Sequence, residues 1–224
     1  MKDSRVIMID EQLNHYLLGI LPPNDEWVNK LERQARDHHV PIMDRLSMHF
    51  LMQLIRISQP KQILEIGTAI GYSALRMIEA NPNVSIITIE RDQHRYKEAI
   101  KNIQNLQKED NIDVMFGDAK DVLIELNKNN TKFDFIFIDA AKGQYRHFFE
   151  LSEPLLNENS MIVSDNVLFR GYVAGLSEPH PRHKRMVEKI KEYNEWLARR
   201  PDFTTTFVPI GDGIAISVKQ TDQT

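Results

Sequence analysis

The chain has 224 residues, 42% hydrophobic and 27% charged, with a formal net charge of -4, which suits one well-buried soluble domain and excludes a strongly basic, nucleic-acid-coated protein. It contains no cysteine, so disulfides, zinc thiolates and cysteine nucleophiles are excluded, and a reducing cytoplasm is the expected compartment. No apolar run reaches the roughly 18 residues that span a bilayer, and Met1-Lys2-Asp3-Ser4-Arg5 carries an acid with no apolar core behind it, so neither a membrane span nor export is expected.

In chain order, Asp10 to Gly19 is short and apolar on one side. Asn24-Asp25-Glu26 offers an N-cap with first-turn acids and opens a helix to about His38. Val40-Pro41 breaks it, and Asp44 caps a further helix through Ser58 that Gln59-Pro60 ends. Residues 1–58 are thus expected as a helical cap region, and residues 61–219 as the core of a single domain over 1–224. Short apolar runs then alternate with helical stretches: Gln62 to Ile66, Ser85 to Ile89, Ile112 to Phe116, Phe133 to Ile138 and Met161 to Ser164. They start roughly 20 to 28 residues apart, the length of a strand plus its crossover helix. Phe133-Asp134-Phe135-Ile136-Phe137-Ile138, apolar on both faces, suits a central parallel strand covered by helices. Phe203 to Val208, a Gly211-Asp212-Gly213 turn and Ile214 to Val218 read as an antiparallel hairpin. The pattern predicts an α/β fold of five parallel βα units closed by that hairpin.

Ligands of open parallel sheets bind beyond the carboxyl ends of the strands, so the residues just after each apolar run carry the functional signal. After the first run comes Glu65-Ile66-Gly67-Thr68-Ala69-Ile70-Gly71-Tyr72-Ser73, whose glycines permit a tight turn and a close ligand. Its G-x-x-x-G spacing is neither the dinucleotide fingerprint nor a phosphate loop. Glu90 after the second run is placed to accept two ribose hydroxyls, or is a solvated acid. Gly117-Asp118-Ala119 after the third suits the edge and face of an adenine ring. The fourth and fifth runs end in Asp139-Ala140-Ala141-Lys142 and Asp165-Asn166. If those strands are neighbours, two carboxylates and a carboxamide converge, an all-oxygen set that favours magnesium or manganese. The alternative is ordinary capping of strand ends by Asp and Asn.

At these residues the chain resembles the cation-dependent O-methyltransferases of the catechol and caffeoyl-coenzyme A type, over nearly its whole length from Pro41 to Val218. The resemblance implies a class I methyltransferase (Rossmann-like) sheet of seven strands in the order 3-2-1-4-5-7-6, and S-adenosylmethionine as methyl donor. It implies that Met43, Glu65, Gly67, Ser73, Glu90, Asp118 and Ala119 serve the cofactor, with Asp139 near its amino group, and that Asp139, Asp165 and Asn166 hold the metal. It implies a homodimer as well. Within the family, Val40-Pro41-Ile42-Met43 and Asp165-Asn166-Val167-Leu168-Phe169-Arg170-Gly171 are most similar to the bacterial tRNA 5-hydroxyuridine methyltransferase branch, whose product is 5-methoxyuridine at the wobble position.

A sulfonium methyl needs little electrophilic help; the neutral hydroxyl acceptor is the difficulty. A cation lowers the pKa of a coordinated hydroxyl, and Lys142, three residues after Asp139, is the candidate proton acceptor. Between Arg170 and Arg200 eight Lys or Arg stand against four Glu, a local +4 in a chain of net -4. Arg170, Arg182, Lys184 and Arg185, with Tyr172 nearby, are the candidate RNA contacts, phosphates on cations and a base on the aromatic. The alternative is a solvated basic helix and a small catechol or phenol as acceptor. An NAD-dependent oxidoreductase lacks its G-x-G-x-x-G here, and the intact Asp139, Lys142, Asp165 and Asn166 argue against an inert binding module.

Overall fold

The structure is a computed structural model and describes residues 11–220. Met1 to Arg5, on which the export expectation rests, and Asp10 lie outside the described residues. The chain opens with helices α1 (Glu11–Ile20), α2 (Glu26–Asp37) and α3 (Arg45–Ser58). Asp44 caps α3 as expected, its carboxylate accepting from the Ser47 amide at 3.1 Å, and Gln59 ends it in a left-handed conformation. Asp25 precedes α2 but makes no side-chain cap. Its neighbour Asn24 instead donates to Glu32 at 2.9 Å.

The core alternates β1 (Gln62–Ile66), α4 (Tyr72–Ala80), β2 (Ser85–Glu90), α5 (Gln93–Asn105), β3 (Ile112–Phe116), α6 (Ala119–Lys128), β4 (Phe133–Ile138), α7 (Tyr145–Ser152) and β5 (Leu156–Ser164). Helix α8 (Lys184–Ala198) leads to the hairpin of β6 (Phe203–Val208) and β7 (Ile214–Lys219). The strands form one seven-stranded sheet in the order β3-β2-β1-β4-β5-β7-β6. Strands β1 to β5 are parallel, and β7 runs antiparallel to both β5 and β6. Fold class, strand order and closing hairpin are those expected.

Side chains on these strands alternate between two cores. Ile63, Phe135, Phe137 and Val163 pack with α2, α3, α4 and α5, while Leu64, Ile66, Ile136 and Ile138 pack with α6, α7 and α8. Both faces of β4 are therefore buried, which is why its sequence is a nearly unbroken apolar run. The helices expected as a cap over residues 1–58 are tied into this arrangement, since Val28, Leu31, Leu51 and Ile55 belong to the first core. Strand β5 starts five residues earlier than its apolar run: Leu156 pairs with Phe133, and an irregularity separates that pair from Phe135↔Met161. Asn157-Glu158-Asn159 reads as a turn, and Asn159 does have a φ of 57°, yet the chain passes through it within the strand. Among the described residues no helix is long and apolar enough to cross a membrane. The strand order reverses between β1 and β4, which opens a crevice at their carboxyl ends.

Candidate active site

The crevice is a cleft of about 490 Å³. Gly67, immediately after β1, has a φ of 108°, and a Cβ there would collide with the Asp139 carbonyl oxygen. Only glycine lets the β1 and β4 ends approach so closely. Behind this turn Glu65 is fully buried; its carboxylate accepts from the Ser73 hydroxyl and, at 2.5 Å, from the Thr88 hydroxyl. Thr88 has one proton and gives it to Glu65, so in the 2.7 Å contact between the two threonine hydroxyls Thr68 is the donor. Burial pushes the Glu65 carboxyl up to about 7, against the pull of its two hydroxyl donors and with a smaller push from Asp139 and Glu90. Glu90 at the end of β2 is buried, and its oxygens accept from the amides of Ala69 at 2.9 Å and Asp92 at 2.8 Å. Asp118 caps α6 through the Lys120 amide at 3.0 Å.

On the other side of the switch point, the Asp139 amide donates to Ile66 and the Asp165 amide to Ile138, both at 3.0 Å, so each acid continues its strand's ladder. Their neighbouring strands bring Asp139, Asp165 and Asn166 to one sheet edge. Asp165 is 2% exposed, and its Oδ1 has no hydrogen-bond partner among the described residues. Burial raises both carboxyls above the usual carboxylate range; Lys142 opposes this at Asp139, and the charge of Asp139 adds to it at Asp165. Lys142 Nζ donates to Asn166 Oδ1 at 2.5 Å and lies 5.9 Å from the centre of the Phe169 ring. Among the described residues no three His, Cys, Asp or Glu side chains gather as a metal cage. Two carboxylates with one carboxamide remain, hard oxygen donors only, one of them a buried oxygen without a donor. That set fits a magnesium-like ion completed by other oxygens.

Of the residues expected at the site, Met43, Gly67, Ser73, Glu90, Asp118, Ala119, Asp139, Lys142, Asp165, Asn166 and Arg170 line the cleft. Glu65 stands behind the wall, its oxygens occupied by Ser73 and Thr88. Arg182, Lys184 and Arg185 are exposed outside it. Tyr72, Phe148 and Phe169 are the aromatics on the wall, and Tyr172 packs edge-on behind Phe169 at 5.7 Å. Arg91, Arg95 and Asp212 also line the cleft; the first two follow the β2 end and were legible by position, whereas Asp212 lies in a hairpin turn remote in sequence.

The family model for O-methyltransferases matches residues 22–220. This chain belongs to that family. It is 33% identical to the caffeoyl-CoA O-methyltransferase of Populus kitakamiensis, over 95% of each chain. A Staphylococcus aureus crystal structure provisionally assigned as a caffeoyl-CoA O-methyltransferase is 37% identical and has a TM-score of 0.86, covering 94% of this chain and 100% of that one. The O-methyltransferase of Bacillus cereus, solved in complex with SAH, is 27% identical with a TM-score of 0.81, covering 93% and 97%. The protein is an S-adenosylmethionine-dependent O-methyltransferase of the caffeoyl-CoA and catechol type, and its seven-stranded sheet is that of its class I structural neighbours.

Proposed function

We propose that this O-methyltransferase is cation-dependent and methylates 5-hydroxyuridine at the wobble position of tRNA to 5-methoxyuridine. The carrying observation is the convergence of Asp139, Asp165 and Asn166 on the cleft, with a buried Asp165 oxygen that lacks a donor among the described residues. A divalent ion, magnesium or manganese, would be held by these three residues and would lower the pKa of the acceptor hydroxyl. S-adenosylmethionine supplies the methyl group, and Met43, Gly67, Ser73, Glu90, Asp118 and Ala119 form the wall assigned to it. Lys142 beside Asn166 is assigned the hydroxyl proton as the new O–CH3 bond forms and the sulfonium becomes a thioether. The 5-hydroxyl of this base stands next to the 4-carbonyl, so it offers two vicinal oxygens, as a catechol does.

Recognition of RNA is supported by the surface beside the acceptor wall. Arg170, Arg182, Lys184 and Arg185 are exposed, and among the described residues none of them joins an ion pair. Phe169, ringed by Lys142, Arg170 and His183, is the platform for the splayed base, in place of Tyr172. The same reading includes a cytoplasmic homodimer: Leu13, Tyr16 and Ile20 on α1 and Ile57 on α3 expose apolar surface that a second copy would cover. A small catechol or phenol is the second reading, favoured by the caffeoyl-CoA methyltransferase among the relatives. Incubation with S-adenosylmethionine and tRNA carrying 5-hydroxyuridine, followed by nucleoside mass spectrometry, tests the first. It predicts 5-methoxyuridine with magnesium and none with chelator; methylated catechol and unmodified tRNA would replace it with the second.

A further inference from the structure

The Gly211-Asp212-Gly213 turn reads in sequence as a hairpin connection, yet in the fold it touches both halves of the cleft. Four consecutive amides that follow the Asp165-Asn166 pair donate to it. Val167 donates to the Gly213 carbonyl at 3.0 Å, and Leu168 and Phe169 donate to the Asp212 carbonyl at 2.8 and 3.0 Å. Arg170 donates to Asp212 Oδ1 at 3.1 Å. This segment needs such a clasp, because Asn166, Phe169 and Arg170 have φ values of 57°, 33° and 55°. Side chains other than glycine occupy that region rarely, and they persist there only where surrounding bonds hold them. On its far side the turn meets the first turn of α3. A Cβ on Gly211 would collide with the Asp44 carboxylate and the Ser47 hydroxyl, so the turn packs directly against these two side chains. Asp44 caps α3 and follows Met43, a residue of the cleft wall.

We infer that Asp212 is a positioning residue: through the Arg170 amide it fixes the loop that carries Asn166 and Phe169, and its turn ties that loop to the wall at Met43. That this loop forms the acceptor wall rests on the proposed function; the clasp itself does not. The test compares Asp212→Ala with Asp212→Asn, which keeps an oxygen at the Oδ1 position. Amide hydrogen exchange at residues 167–170, affinity for S-adenosylhomocysteine, and KM and kcat are measured with whichever of 5-hydroxyuridine RNA and catechol the enzyme methylates. The alanine variant is expected to speed exchange at Arg170 and raise the acceptor KM, each by about tenfold, the order of one lost charge-assisted hydrogen bond. Cofactor affinity should stay within about twofold, the scatter of a site that keeps its contacts, and asparagine should restore most of the loss. Unchanged exchange at Arg170 in the alanine variant, or an asparagine variant as impaired as alanine, overturns the inference. Exchange is read on the protein alone, so a wrong acceptor assignment leaves that result standing and alters only the kinetic arm.

Discussion

Asp165 holds a buried oxygen that no donor among the described residues reaches, next to a second carboxyl on the adjacent strand. Without a cation, burial and Asp139 disfavour its ionised form. Asparagine has nearly the shape of the neutral acid, so Asp165→Asn should leave the stability of cation-free protein within about 1 kcal/mol. The same variant should lose the stabilisation that magnesium gives the wild type, about 3 kcal/mol at a hundredfold excess over Kd. Thermal midpoints with magnesium and with chelator read both, and an undiminished magnesium shift in the variant would remove Asp165 from the ligand set. Lys142→Ala should lower turnover by about 10²- to 10⁴-fold, the range for a lost general base, with cofactor affinity little changed. Glu65 makes a different prediction. Its folded pKa of about 7 lies above the ordinary value of 4.5. Its contribution to stability is therefore full below pH 4.5 and is lost as pH rises through about 7. Denaturation of wild type and Glu65→Gln at pH 5 and pH 8 should show a decline in the wild type that is absent from the variant. Equal slopes would contradict it.

At the scale of elements, the junction from α8 to β6 is closed by Arg200. Its guanidinium pairs with Glu153 at 2.8 Å and with Asp202, and lies 4.9 Å from the Trp196 ring centre and 5.2 Å from that of Phe203. Arg200→Met keeps the stem and removes the charge, and should cost about 2 kcal/mol at neutral pH, more from the desolvated ring contacts than from the half-exposed Asp202 pair. Arg200 holds the Asp202 carboxyl down to about 2. That part of the difference is therefore present above pH 3.8 and fades as pH falls through about 2. Urea titrations of both proteins at pH 7 and in acid check the sign. Elements with strong patterns were legible in the sequence: the apolar runs of β1 and β4 coincide with the strands because both of their faces are covered, and that of β3, an edge strand, because Ile112 and Val114 alternate into the first core. The first half of β5 was not legible, since Asn157-Glu158-Asn159 carries turn chemistry and bulges between the Phe133↔Leu156 and Phe135↔Met161 pairs that hold the strand to β4. Tyr172 was legible as an aromatic beside the basic segment, whereas the place of Phe169 on the cleft wall follows from left-handed turns at Phe169 and Arg170.

For the whole molecule, strand ends were the most informative part of the sequence, because parallel topology sends every one of them to the same edge. Eleven of the residues expected at the site, all but Met43 at or after those strand ends, line one cleft. Glu65 was placed one layer too far forward: a strand residue before a glycine turn faces either the cleft or the interior, and only the hydroxyls of Ser73 and Thr88 show which. Asp212 was missed because its contact with the 166–170 loop depends on how the hairpin returns beside β5, which no local pattern encodes. Family membership and methyl donor follow from the core. Acceptor identity lies in the outer surface, where exposed cations and Phe169 support a polyanion carrying a planar ring. The decisive measurement is a competition: labelled S-adenosylmethionine with magnesium, a 5-hydroxyuridine anticodon stem-loop and a catechol in one reaction, at rising salt. Label should enter the RNA at low salt and decline steeply there as phosphate contacts are screened. Label confined to the catechol at every salt concentration would contradict the RNA assignment and make the basic segment an ordinary solvated surface.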